Sequence, residues 1–245
     1  MKKTIALILT LVLVLALCAC GGGKAQDIVN NAANGNETVG EKPAAEPAEE
    51  PAKEPAEEPD EDDLPRGAIT ETENGTHYEN SYLGFACDLD ENWYVYSEEE
   101  MAQMAGITAE QFEGTDYEEL LKNTSVFYDF FAARTDGMAT INVNYSYTGP
   151  MVQALDMDSY LEAMIPQLKS VLEAGGMSDV SIEKSSVTFC GSERTGLLIR
   201  AKTQGVDYYA QQIYTVVGPR ISTLTLGTFL EDNTADLVAL FQPIG

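Results

Sequence analysis

The sequence predicts an α+β fold, a central antiparallel sheet flanked by helices. Three observations carry this expectation. Residues 126–134 and 139–147 read as two strands around Asp136-Gly137, a dipeptide suited to a tight hairpin turn. An amphipathic stretch follows, with Leu161, Met164, Ile165, Leu168, Val171 and Leu172 on one side at helical spacing. After Gly175-Gly176, strand-like runs succeed one another with turn residues between them, the pattern of an antiparallel meander. Strands before and after one long helix give layered α+β packing.

The N-terminus comes first in order. Lys2 and Lys3 precede an unbroken apolar run from Thr4 to Leu17, which ends at Leu17-Cys18-Ala19-Cys20 and three glycines. A basic start and a short apolar segment define an export signal. The run falls short of the roughly 20 apolar residues a membrane span needs. Leu17, Cys18 and Ala19 before Cys20 resemble the lipobox of bacterial lipoprotein signals. That resemblance implies cleavage before Cys20 and lipid attachment to its thiol. Cys18 is the competing position, but Leu17 precedes it where the peptidase requires a small residue. Residues 1–19 are thus read as the signal peptide, and Cys20 as the lipid attachment site. The expected location is the outer face of the bacterial cytoplasmic membrane, held by a lipid anchor alone.

Residues 20–66 show no apolar periodicity. Pro43, Pro47, Pro51, Pro55 and Pro59 recur every fourth residue among Ala and Glu, and Asp60-Glu61-Asp62-Asp63 closes the run. Proline blocks helix propagation and like charges repel, so the stretch reads as an extended, disordered acidic linker. At about 3.1 Å per residue, its proline-spaced part reaches on the order of 50 Å. It serves either as a stalk that lifts the domain from the bilayer or as a plain solvated spacer.

Residues 67–245 form one expected globular domain, long enough for a single well-buried core. The whole chain has 14 basic and 40 acidic residues, a net charge of −26. Such a surface repels nucleic acid and anionic headgroups, so nucleic-acid binding is excluded.

Within the domain, strands are expected before Asn80, from Leu83 to Leu89, and from Trp93 to Tyr96, with Trp93 plugging one end of the core. Ser97 ahead of Glu98, Glu99 and Glu100 marks a helix N-terminus that Gly106 ends. Thr108 with Gln111, and Asp116 with Glu119, repeat that capping pattern up to Asn123. In the hairpin, Ile141, Val143 and Tyr145 alternate with Thr140, Asn142 and Asn144, which predicts one buried and one wet face. The long helix is capped by Asp156 or Asp158, and Pro166 should kink it or delay its start. Further strands are expected at 180–183, 186–190, 194–202, 206–217 and 221–229. A last helix, capped near Asp232 or Asn233, should carry Leu237, Val238, Leu240 and Phe241 onto the sheet.

The segment Tyr78-Glu79-Asn80-Ser81-Tyr82-Leu83-Gly84-Phe85, followed by Asp90-Glu91-Asn92-Trp93, resembles the opening of a Firmicutes-type lipoprotein domain of unknown function. Its fold is similar to PsbP, the extrinsic photosystem II subunit. The resemblance spans residue 76 to the C-terminus, although Asp90 stands where that opening often has proline. It implies an antiparallel sheet with helices on both faces, and a role in binding other proteins. It implies no catalytic residues.

The chemistry-bearing residues give little support to catalysis. His77 is the only histidine and has no nucleophile motif beside it. It reads as a half-exposed strand residue. Asp88, Asp90, Asn92 and Glu99 imitate a calcium-loop spacing, but Trp93 stands where the sharp turn needs glycine. Cys87 and Cys190 either pair in this oxidising compartment or remain buried thiols. Two cysteines and one histidine are too few for a zinc site. Tyr145 with Tyr147, and Tyr208 with Tyr209, read as rings split between core and surface. No cofactor and no metal are therefore expected. The functional expectation is a non-catalytic binding module that contacts an envelope protein or a small ligand. The alternative is a hydrolase using paired carboxylates on envelope glycans, which requires two carboxyl groups roughly 5–9.5 Å apart in a groove.

Overall fold

The computed structural model describes residues 64–108, 117–122 and 124–244. Eleven strands form two antiparallel sheets. The smaller sheet holds β1 (Ala68–Thr72), β2 (Gly75–Asn80), β3 (Phe85–Asp90) and β11 (Phe241–Pro243), in the order β1-β2-β3-β11. The larger holds β4 (Trp93–Val95), β5 (Val126–Arg134), β6 (Ala139–Tyr147), β7 (Met177–Phe189), β8 (Ser192–Thr203), β9 (Val206–Val217) and β10 (Arg220–Phe229). Its order is β4-β5-β6-β10-β9-β8-β7. The helices are α1 (Glu98–Met104), α2 (Tyr117–Lys122), α3 (Met157–Ala174) and α4 (Thr234–Val238), with a 3-10 turn at Pro150–Ala154. The α+β class, the antiparallel pairing and a long helix packed on the sheet agree with the sequence. The second sheet, with β1 as its outermost strand, was not expected.

Side-chain alternation divides the large sheet between a core shared with the small sheet, a core beneath α3 and a smaller cluster of Tyr128, Phe131 and Ala133 against Met101 of α1. Phe127, Phe130, Ile141, Val143, Ile213, Leu224 and Leu226 meet Tyr78, Phe85, Cys87 and Phe241 of the small sheet. Leu197, Ile199, Tyr208, Tyr214, Ile221 and Phe229 meet Tyr160, Leu161, Leu168 and Leu172 of α3. Phe85, Phe189 and Phe241 close the first core, with ring centroids 5.2–5.3 Å apart. Trp93 packs partly buried against that core. Because β6 lies between two covered faces, the expected wet face of the hairpin does not exist. Thr140, Asn142 and Asn144 are as buried as the apolar residues between them.

Several boundaries are corrected. The strands expected at 180–183 and 186–190 are one strand, β7, with a bulge between Ser178 and Ser181. Nothing between them breaks pairing, since Lys184 and Ser185 face Leu197 and Gly196 across the ladder. Cys190 lies beyond that strand, in a turn where Cys190 and Gly191 take φ of +49° and +77°. The β5–β6 turn is not the expected two-residue type. Gly137 alone adopts a positive φ there, and Asp136 instead accepts a 2.9 Å hydrogen bond from the Met138 N–H. Asp156 caps α3, and the helix continues through Pro166, whose ring lies on the exposed side. The C-terminal helix stops at Val238. Phe241 belongs to β11, where it pairs with Cys87. The capping patterns at Thr108/Gln111 and Asp116/Glu119 extend outside the described residues.

Gly196 of β8 shows how closely the large sheet is packed. A Cβ there would stand 2.0 Å from the Gln212 carbonyl oxygen of β9. Gly196→Ala should therefore lower stability by about 3 kcal/mol. The check is a lower urea midpoint at unchanged slope, and an unchanged midpoint would contradict this account.

Candidate functional site

Two polar features stand out, one buried and one open. The buried one centres on Asp129, which is 1% exposed. In β5, register with β6 shifts between Tyr128 and Phe130. The extra residue of this bulge is Asp129, which reaches toward the small sheet. Its Oδ2 accepts hydrogen bonds from Tyr78 Oη at 2.6 Å and Asn80 Nδ2 at 2.8 Å. The Gly67 N–H lies 3.0 Å from both carboxylate oxygens. Arg66 Nε stands 4.0 Å away, while the same guanidinium holds Glu98 at 2.6 Å.

Tyr78 and Asn80 are two apart on one strand and share a face, which is how one tripeptide reaches a single carboxylate. Tyr78 also stacks on Phe130 at 4.3 Å. Asn80 Nδ2 lies 3.1 Å from both the Tyr145 hydroxyl and the Pro65 carbonyl, and its Oδ1 accepts from the Leu83 N–H. Burial pushes the Asp129 carboxyl above its ordinary range. The bonds from Tyr78, Gly67 and Asn80 and the charge of Arg66 pull the other way. Burial likewise raises the Tyr78 and Tyr145 hydroxyls well above theirs. A perturbed carboxyl suggests catalysis. Here the side chains that donate to the carboxylate, Tyr78 and Asn80, are fully buried, so the arrangement is a structural hub.

The open feature is a groove of about 1130 Å³. Its walls are β1 (Ala68, Ile69, Glu71), β4 (Tyr94, Val95) and the start of α1 (Glu98, Glu99, Glu100, Gln103), with Leu64, Arg66, Gly67 and Tyr82 at one side. Arg66 and Gly67 belong to both features, so the hub fixes one wall of the groove. Among the described residues, seven large hydrophobic side chains are exposed, and three of them, Ile69, Tyr82 and Tyr94, line this groove.

The α1 wall is built by a capping box. Ser97 Oγ accepts from the Glu100 N–H at 3.3 Å, and the Ser97 N–H donates to Glu100 Oε2 at 2.8 Å. Tyr94 Oη donates to the same carboxylate at 2.8 Å. Burial works to raise the Glu100 carboxyl. The Ser97 N–H, the Tyr94 hydroxyl and the Ser97 hydroxyl outweigh it, leaving Glu100 below its ordinary range. Tyr94, 50% exposed, packs edge-on against Tyr96 at 5.1 Å, and Tyr96 against Phe131 at 4.7 Å. The groove therefore carries an aromatic surface braced from the core.

The remaining candidates are dispersed. Cys20 lies outside the described residues. Cys87 is buried and Cys190 half-buried, and the two are not bonded to each other. Burial pushes the Cys87 thiol up to about 12. Asp88, Asp90 and Asn92 do not converge on a point: Asp88 holds His77, and Asp90 caps the Asn92 N–H. Among the described residues no group of three or more His, Cys, Asp or Glu could hold a metal ion. No described helix is long and apolar enough to cross a membrane. Tyr208 is buried beside half-buried Tyr209, and Tyr145 is buried while Tyr147 is 42% exposed. Compared with known proteins, the chain matches no family model and no curated protein.

Asp129→Ala leaves Tyr78, Asn80 and Gly67 without their acceptor and should cost about 3–5 kcal/mol in urea unfolding. Tyr78→Phe removes one bond to a charged group and should cost about 1.5–3 kcal/mol. Equal, small losses for both would deny the hub. His77 sits on β2 with its Nδ1 2.7 Å from Asp88 Oδ1, and that bond, opposed by slight burial, holds its pKa above 6.5. A raised histidine pKa stabilises the fold fully below pH 6.5, and this contribution is lost as pH rises through the folded value. NMR titration of this single histidine should show the raised pKa, and Asp88→Asn should bring it down.

Proposed function

We propose that the chain is a lipoprotein anchored through Cys20 on the outer face of the bacterial cytoplasmic membrane. Its globular domain acts as a non-catalytic binding module for an envelope protein or small ligand, and the groove is the binding surface. The observation that carries this reading is the convergence of Ile69, Tyr82 and Tyr94 on one acid-lined groove whose aromatic ring is braced beforehand. A preformed surface binds without the ordering cost a loose one incurs. Two of the groove carboxylates are engaged in structure: Glu98 pairs with Arg66, and Glu100 caps α1 while it holds Tyr94. Glycan hydrolysis needs a carboxyl that keeps its proton, and Glu100 is shifted the opposite way.

We also read the layering as PsbP-like, on the strength of the antiparallel central sheet with α3 against one face. The four-stranded sheet on the other face is an addition to that plan.

Two measurements in cells test the proposal. An alkyne palmitate analogue should label the wild-type chain and not Cys20→Ala, and equal labelling would remove the anchor. A photoreactive residue at Tyr94 should give discrete crosslinked adducts, whereas one at the exposed Leu230 should give none. Identical patterns at both positions, or release of soluble glycans from cell wall by the purified chain, would overturn the binding reading.

A further inference from the structure

We infer that the groove receives an extended, lysine- or arginine-rich polypeptide segment, added as a strand to an open sheet edge. This rests on the reading of the groove as the binding surface. β1 ends the strand order of the small sheet and β4 ends that of the large one, and both border the groove. Each has a single strand partner among the described residues. Among the described residues, the far edge of each strand therefore presents backbone N–H and C=O groups outside any ladder, the template that an added strand completes. All five residues of β1 are exposed.

Charge selects the segment. Glu71, Glu98, Glu99 and Glu100 face the groove against one cation, Arg66, which Glu98 already pairs. The surplus is negative. The half-exposed Tyr94 ring offers an apolar face for a lysine or arginine stem and a π-surface for its head. Neither a second copy nor the stretch just before Leu64 fits this edge. A second copy carries the same net charge of −26 and is repelled. The sequence just before Leu64 is acidic and contains proline, which lacks the N–H a strand must donate. The long edge strand at the far end of the large sheet, β7, differs. It carries Glu183 and Lys184 and a bulge near its start, devices that discourage strand addition.

The test uses the full-length lipidated chain in detergent and fluorescent peptides read by anisotropy. One peptide has four Lys-Val repeats, a second has four Glu-Val repeats, and a third is the lysine peptide N-methylated on every valine. The lysine peptide should bind, the glutamate peptide should not, and N-methylation should weaken binding at least about tenfold, since it removes the donors of strand pairing. Glu71→Lys with Glu99→Lys should weaken binding by about tenfold or more, with a cooperative urea transition showing that the chain still folds. Glu183→Lys with Glu231→Lys makes the same charge change elsewhere and should not. Equal binding of the methylated peptide, or equal losses in the two double variants, would overturn the inference. No peptide binding together with persistent Tyr94 crosslinks would refute this inference alone. Loss of the crosslinks as well would refute the binding reading beneath it.

Discussion

One buried carboxylate holds the two sheets in their relative position. Asp129 gathers donors from β2 and from Gly67, with the Arg66 guanidinium 4.0 Å away, and Asn80 extends the network to Tyr145 of β6 and the Pro65 carbonyl. Apolar packing between sheets is non-directional and would tolerate sliding. Hydrogen bonds to a charged group in a dry interior do not tolerate it, because each unmade bond leaves a desolvated polar atom. The bulge that exposes Asp129 to the small sheet is thus the geometric condition for this docking. Since Arg66 and Gly67 also form a groove wall, the same condition sets where β1 stands relative to β4.

Much of the scaffold could be read from local sequence. The β5 and β6 boundaries, the cap at Ser97, the stop at Gly175-Gly176 and the β9 limits all depend on neighbours in the chain. What failed was non-local. The alternation of Thr140, Asn142 and Asn144 with apolar residues signals a half-wet strand only where one face meets water. A strand with layers on both sides buries either parity. Phe241 looked helical by spacing, yet Cys87, 154 positions earlier, claims it as a strand partner.

The sites show the same division. The physical content of Tyr78-Glu79-Asn80 is the pair of donors it gives Asp129. No motif rule singles out Asp129, although a lone acid within Val126-Phe127-Tyr128-Asp129-Phe130-Phe131 is a signal. Such a residue is either at the surface or paired in the core, and its apolar neighbours favour the core. No spacing rule could have revealed the groove, whose walls come from β1, β4 and α1.

The two carboxyl groups that fix the groove walls respond to acid in opposite directions. Glu100 has its folded pKa lowered, so its contribution is present above the ordinary carboxyl range and fades as pH falls through the folded value. Asp129 has its folded pKa raised, so in the window above 3.8 the folded state binds the extra proton and its contribution is lost as pH rises. Acidification therefore weakens the exposed cap of α1, and with it the grip on Tyr94, while the protonation of Asp129 carries no such loss for the hub beneath β1.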